Sequence, residues 1–307
     1  MISFVIPTLN EAGNVTPLFD EIQSTIKTMG GGKFEVIFVN DGSRDNTQSE
    51  LNKLKAKHED KVVIIEFTHN FGKAAALSAG FSKAKGDLIC TMDADLQDVP
   101  AELPKMIAKL EEGYDVVSGW KQKRKDSFIK NKTSKLFNAA TNMISRAKLH
   151  DFNCRFKLYK KEVLEDLNLY GELHRYIPVL LSAQGYRVGE VKVAHRARVH
   201  GHTKYSGSRF IHGFLDLFTV LFITRFRTRP LHLFGLAGMF CFALGFAVGL
   251  YLTYIKLFNH QSIGERPLLL FSVMLMIMGV QLGVMGLVGE HITTLLHKNE
   301  RNYKIKK

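Results

Sequence analysis

The chain has 307 residues, 46% of them hydrophobic, enough for one or two domains with a buried core. Its formal net charge of +13 implies an anionic partner, for which nucleic acid, acidic lipid and phosphorylated small molecules all qualify. Cys90, Cys154 and Cys241 lie far apart and form no CxxC pair, which argues against a disulfide framework or a zinc site of the usual spacing and for a reduced, cytosol-facing protein.

The opening MISFVIPTLNEAGN has no basic leader and only a short apolar run, so it reads as a first strand ending at Pro7 and not as a signal peptide. From there to about residue 205, strand-like and helix-like segments alternate. Strands are predicted at 2–6, 34–40, 62–67, 87–92 and 115–118, and helices at 15–29, 47–58, 73–83 and 101–112. This order predicts an α/β fold with a largely parallel sheet. Open sheets of that kind bind ligands at the carboxyl ends of their strands, where PTLNE, NDGSRD and DADLQD follow the first, second and fourth strands. GGGKF, residues 30–34, lacks the spacing and the Ser/Thr of a phosphate loop and reads as a helix-stop turn.

The stretch CTMDADLQDVP concentrates acid in a basic chain. Side chains two apart on an extended segment share a side, so Asp93 and Asp95 can turn toward one ion, with the Gln97 amide oxygen as a third ligand. Hard cations such as Mg²⁺ take oxygen ligands and bridge one or two carboxylates to a substrate phosphate. The competing reading is a turn whose Asp residues cap the helix starting near Pro100, and Asp98 is assigned to capping or to supporting the turn from behind.

A basic run follows (Lys121, Lys123, Arg124, Lys125, Lys130, Lys132, Lys135), and then an apolar stripe of helical period over 134–147. That stripe suits a helix lying in the headgroup plane or one packed on the sheet. His195, His200 and His202 read as polar residues of a mobile loop rather than as a second metal site. Residues 209–225 form a second amphipathic segment, too short to span a bilayer. Residues 233–255 and 268–289 carry no charge, and at about 1.5 Å per residue each reaches roughly 33 Å, enough to cross the hydrocarbon. Their glycines recur at spacings that let helices approach closely. Arg225, Arg227 and Arg229 precede the first span, and Lys298, Arg301, Lys304, Lys306 and Lys307 follow the second. The positive-inside rule therefore places both termini and the domain before the spans in the cytoplasm of a multi-pass protein of the inner or plasma membrane. The expected organisation is a domain at 1–206, a juxtamembrane helix at 207–229, a transmembrane hairpin at 230–297 and a basic tail at 298–307.

Taken in order, VIPTLNEAGN, VNDGSRDNT, NFGKAAALSAGF and MDADLQDVP resemble the catalytic domain of glycosyltransferase family 2 over roughly the first 120 residues. The resemblance implies a GT-A, nucleotide-diphospho-sugar-binding fold. Carried over, it places Pro7, Thr8, Asn10, Glu11, Asp41, Gly72, Lys73, Asp93, Ala94, Asp95 and Arg124 at the nucleotide sugar. Asp93, Asp95 and Gln97 would hold Mg²⁺ or Mn²⁺ on the diphosphate. DFNCRFKLYKKEV and RVHGHTKY resemble the branch containing dolichol-phosphate mannose synthases and bacterial polyprenyl-phosphate glycosyltransferases. Lys157 stands where that branch often has Arg, which loses the planar fork for bidentate phosphate contact. Arg198 and Lys204 match the branch and are assigned to the diphosphate or acceptor phosphate. With Asp95 and Asp151 they form the expected catalytic set. An acceptor phosphate with second pKa near ~6 is already largely dianionic at neutral pH, so Asp151 is expected to orient groups rather than act as a base. The implied reaction is a single inverting displacement by polyprenyl phosphate. UDP-glucose is the first expectation for the donor, then GDP-mannose, then UDP-linked amino sugars. Membrane lipids are further partners, and a homo-oligomer, plausibly a tetramer, is implied by resemblance. Competing readings are a polysaccharide synthase of the same family, for which QxxRW is missing, and a non-catalytic sensor of nucleotide sugars. Nucleic acid ranks last, because the charges flank apolar segments and do not interleave with stacking aromatics.

Overall fold

The computed structural model describes residues 1–121, 138, 141–142, 145, 147–165, 167–196, 208–226, 229–260, 262–264 and 267–297. These form two compact units, Met1–Leu217 and Phe218–Lys307.

The first unit is built on a seven-stranded sheet. Its strands are β1 (Ile2–Thr8), β2 (Phe34–Asn40), β3 (Val62–Glu66), β4 (Leu88–Thr91), β5 (Val116–Trp120), β6 (Lys157–Lys160) and β7 (Val188–Lys192), in the order β3-β2-β1-β4-β6-β5-β7. Between the strands lie α1 (Val15–Thr28), α2 (Thr47–Lys57), α3 (Lys73–Lys83), α4 (Leu103–Glu111) and α5 (Ile177–Ala183). The sheet is mostly parallel, as expected. β6 alone runs antiparallel to both its neighbours, β4 and β5.

The sequence of β2, FEVIFVN, is buried at every position, as a parallel strand covered on both faces requires. Its one charge is accounted for. The Glu35 carboxylate accepts hydrogen bonds from Ser3 Oγ (2.6 Å) and the Lys85 amide (2.7 Å), and Ser3 Oγ accepts one from Gly86 N. α1 buries Val15, Leu18, Phe19, Ile22 and Ile26 on one face against this sheet. On the other face α3 lies so close that a Cβ at Gly80 would sit 2.2 Å from Val5 Cγ1.

The second unit contains two helices long and apolar enough to cross a membrane. After α6 (Ser208–Leu221) and a π-helical turn at Phe222–Phe226 come α7 (Pro230–Phe258) and α8 (Pro267–His297). Glycines set the α7–α8 contact. A Cβ at Gly238 would lie 2.6 Å from Gly279 O, and one at Gly245 would lie 2.7 Å from Ser272 O.

Candidate active site

The carboxyl ends of β1, β2 and β4 meet at one edge of the sheet, and the motif residues collect there. Thr8 is buried, with its hydroxyl bonded to Ile6 O. Asn10 sits at φ +57°, a left-handed position an Asn tolerates, and its side-chain oxygen accepts the Arg44 amide at 2.8 Å. The Glu11 amide donates to Thr47 Oγ1, and its carboxylate accepts from Asn14 Nδ2. These bonds lock the β1 loop to the loop after β2. Pro7 lies in the β1–β2 ladder opposite Val39, one residue short of that loop.

Asp41 is 5% exposed and acts as a brace. It accepts the Phe71 amide at 2.7 Å and the Gly72 amide at 3.1 Å, and so fixes the turn at φ +90° that starts α3 and places Lys73. Beside it, a cleft of about 570 Å³ is lined by Asn40, Ser43, Arg44, Glu66, Thr68 and His69, among others. The rings of His69 and Phe71 lie 3.9 Å apart at its rim. Sequence reading found Asp41 but not this cleft, because Glu66 and His69 belong to no motif and are brought in by the end of β3.

At the acidic turn, the Lys73 ammonium and Arg155 Nε (2.8 Å) both bind Asp93. Burial alone would raise the Asp93 carboxyl, but Arg155 and Lys73 outweigh it and hold it well below the ordinary carboxylate value. Burial likewise pushes Lys73 down to about 8, against the pull of Asp93. Asp95 is 3% exposed and its Oδ1 accepts the Gln97 amide at 3.2 Å across Leu96, which sits at φ +58°. Ala94 turns its methyl into the hydrophobic core, so only its backbone faces the turn. The oxygen-rich set Asp93, Asp95 and Gln97 suits a hard cation in chemistry, although Asp93 already carries two cationic partners.

Asp98 does not cap a helix. Val99 is the cap residue of the turn at Pro100–Glu102, without a side-chain bond. Asp98 instead pairs with Lys121 Nζ at 2.8 Å, both side chains being buried. Lys121, first in the basic run, is therefore tied to this turn. His195 is also anchored, since its Nδ1–H donates to Gln97 O and its backbone bridges to Asp98. Burial and Lys121 lower its pKa.

Asp151 is buried in a turn held from three sides. Its amide donates to Glu190 on β7, Asn142 bonds both the amide and the carbonyl of Leu149, and Asn138 donates to His150 O. Asn138 and Asn142 thus tie the described part of the 134–147 segment to this turn. Lys157 is buried on β6 with its ammonium on Cys154 O. Arg155, two residues earlier, reaches the acidic turn as Lys73 and Lys121 do, and the motif comparison passed over it. His174 was missed as well. Its Nδ1 is buried without a hydrogen-bond partner, and burial plus Lys73, Arg175 and Arg155 lower its pKa to about 3. Arg124, Arg198, Lys204, His200, His202, the rest of the basic run and the 298–307 tail lie outside the described residues.

With this geometry in hand, the sequence pattern of glycosyl transferase family 2 matches residues 3–167, more than half of the chain. The chain belongs to glycosyl transferase family 2. A second pattern, the GtrB C-terminal hairpin, matches residues 229–295 of this glycosyltransferase. Its relatives include a dodecaprenyl-phosphate galacturonate synthase from Rhizobium johnstonii, 36% identical over 97% of this chain and 89% of that one. An undecaprenyl-phosphate 4-deoxy-4-formamido-L-arabinose transferase from Pseudomonas paraeruginosa is 34% identical over 95% and 85%. Among solved structures, glucosyl-3-phosphoglycerate synthase from Mycobacterium tuberculosis, in complex with Mn²⁺ and UDP-glucose, is similar with TM-score 0.55. It is 18% identical and covers 73% of this chain and 78% of that one. A mannosyltransferase from Pyrobaculum calidifontis, in complex with GDP-mannose and Mn²⁺, has TM-score 0.52 and 19% identity over 97% and 88%. These likenesses establish the GT-A fold of this family 2 enzyme.

Proposed function

We propose that the enzyme transfers a sugar from a nucleotide-diphosphate sugar to a polyprenyl phosphate at the membrane surface. The observation carrying this reading is one chain that joins a strand-end site holding Asp93, Asp95, Lys73 and Arg155 to a hairpin of two membrane-length helices. Relatives named for sugar transfer to dodecaprenyl or undecaprenyl phosphate support the acceptor, and they match over nearly the whole chain.

In this reading the cleft beside Asp41 takes the nucleoside, and the diphosphate lies against Lys73, Arg155 and the acidic turn. Asp93, Asp95 and Gln97 would hold Mg²⁺ or Mn²⁺, which when bound stabilises the charge growing on the departing diphosphate. Lys73 and Arg155 supply fixed positive charge to the same group. Asp95 and Asp151, with Arg198 and Lys204, form the catalytic set. A dianionic acceptor phosphate attacks the anomeric carbon in line and inverts it. Asp151, locked by Glu190, orients cationic groups rather than removing a proton.

Both termini and the catalytic domain face the cytoplasm, with Arg225 and Arg229 at the entry to α7. Copies of the chain associate in the membrane. UDP-glucose is the first donor to try and GDP-mannose the second. The relatives add galacturonate and 4-deoxy-4-formamido-L-arabinose donors to the panel. The test is that panel, assayed with undecaprenyl phosphate and Mg²⁺ or Mn²⁺ in detergent. Lipid-linked sugar from one donor supports the reading. Tight nucleotide-sugar binding without transfer from any donor would favour a sensor instead.

A further inference from the structure

α8 has two unlike faces. Gly279 and Leu282 pack on α7, where a Cβ at Gly238 would meet Gly279 O at 2.6 Å and Leu282 Cβ at 3.3 Å. The opposite face carries Met274, Met278, Met285 and Val288, which are 67%, 42%, 56% and 53% exposed. In the middle of that stripe stands Gln281, also exposed. It lies 14 residues into a helix of 31, about 21 Å from one end and about 24 Å from the other at about 1.5 Å per residue. In a bilayer with a hydrocarbon layer of about 30 Å, that depth is near the midplane.

A primary amide there is costly to leave bare, because hydrocarbon offers neither donor nor acceptor. Two threonine hydroxyls of α7 and α8 are satisfied within their own helix. Thr253 donates to Gly249 O and Thr294 to Glu290 O, while Ser272 is buried. Gln281 has no such local bond among those described, and it points away from the partner helix. Lipid tails and an isoprenoid chain are wholly apolar and cannot satisfy it. A second amide can. A carboxamide is self-complementary, with its N–H₂ donating to the other's carbonyl and the reverse, which is what a two-fold contact between identical helices provides.

We infer that the Met274–Val288 face of α8 is the contact between two copies of this chain, with Gln281 paired to Gln281 across the two-fold axis. The unbranched methionines on either side suit such a face, since they adapt to close packing. The inference rests on the reading that copies associate in the membrane, and it names the surface.

The test uses the full chain in lipid vesicles, with Cys241→Ala removing the cysteine of the hairpin and Cys90 and Cys154 buried in the other unit. Under mild oxidation, Gln281→Cys forms a covalent dimer as the main species, whereas Leu282→Cys, on the inner face, does not. Gln281→Leu requires about tenfold higher protein-to-lipid ratio for half-association, and Gln281→Asn restores most of the loss. Matching thermal unfolding of all variants shows that the hairpin is intact. If the wild type is multimeric but Gln281→Cys cross-links no better than Leu282→Cys, the interface lies elsewhere and the inference falls alone. A wild type that stays monomeric at every ratio overturns both the inference and the association it rests on.

Discussion

Asp93 is the most heavily charged point of the site, one carboxylate carrying an ammonium and a guanidinium. Removing either cation leaves the other in place, so the fold should survive while the positive charge offered to a diphosphate falls. Arg155→Met is expected to lower kcat/KM for the nucleotide sugar by about 10²-fold, in the range of a lost charge-stabilising contact, with unfolding temperature little changed; steady-state kinetics with a thermal melt separates the two. His174 gives a prediction in pH. Unfolded, it takes its proton near the ordinary value of 6.5; folded, only near 3. Between these values the unfolded chain binds more protons, so stability falls as pH drops from 6.5 toward 3. His174→Asn is expected to flatten that slope, as denaturant unfolding at several pH values would report. An unchanged slope would mean the buried imidazole is not what senses the acid.

Elements carry the next level of the account. The loop after β2 depends on Gly42, at φ +70°, where a Cβ would fall 2.6 Å from the His69 carbonyl carbon. The three nearest atoms, two of His69 and one of Asn70, are all backbone, so no rotamer change relieves the clash. Gly42→Ala is therefore expected to displace the 67–72 turn and weaken nucleotide binding by about tenfold or more, measured by calorimetry with the free nucleoside diphosphate. At this scale the sequence was readable where the pattern was local. β1 to β5 and α1 to α4 stand where alternation and apolar faces placed them, within a few residues. β6 and β7 were not read, because KLYK and VGEVK carry charges through a strand whose burial comes from distant partners. The same distance hid part of the site. Asp93, Asp95 and Gln97 announce themselves within five residues of each other. Arg155 reaches Asp93 from 62 positions away, and Glu190 reaches Asp151 from 39. Lys121 was misplaced for a related reason: a basic run looks uniform until one member is found paired with a buried Asp98.

At the scale of the whole molecule, the proposed reaction gives the charge of +13 and the acidic turn one purpose. In that reading the turn offers carboxylates to a cation, and the surplus positive charge serves the phosphates of donor, acceptor and membrane. Chelation with EDTA is accordingly expected to abolish transfer, with Mn²⁺ or Mg²⁺ restoring it, while Asp95→Asn stays inactive at any metal concentration. The central claim, that a polyprenyl phosphate takes the sugar directly, is tested by the structure of the product. Purified enzyme, a labelled nucleotide sugar and undecaprenyl phosphate should move the label into the organic phase as a sugar–phosphate diester. NMR of that product should show the anomeric configuration inverted relative to the donor. A retained anomer, or label found only on water or on the protein, would contradict the account.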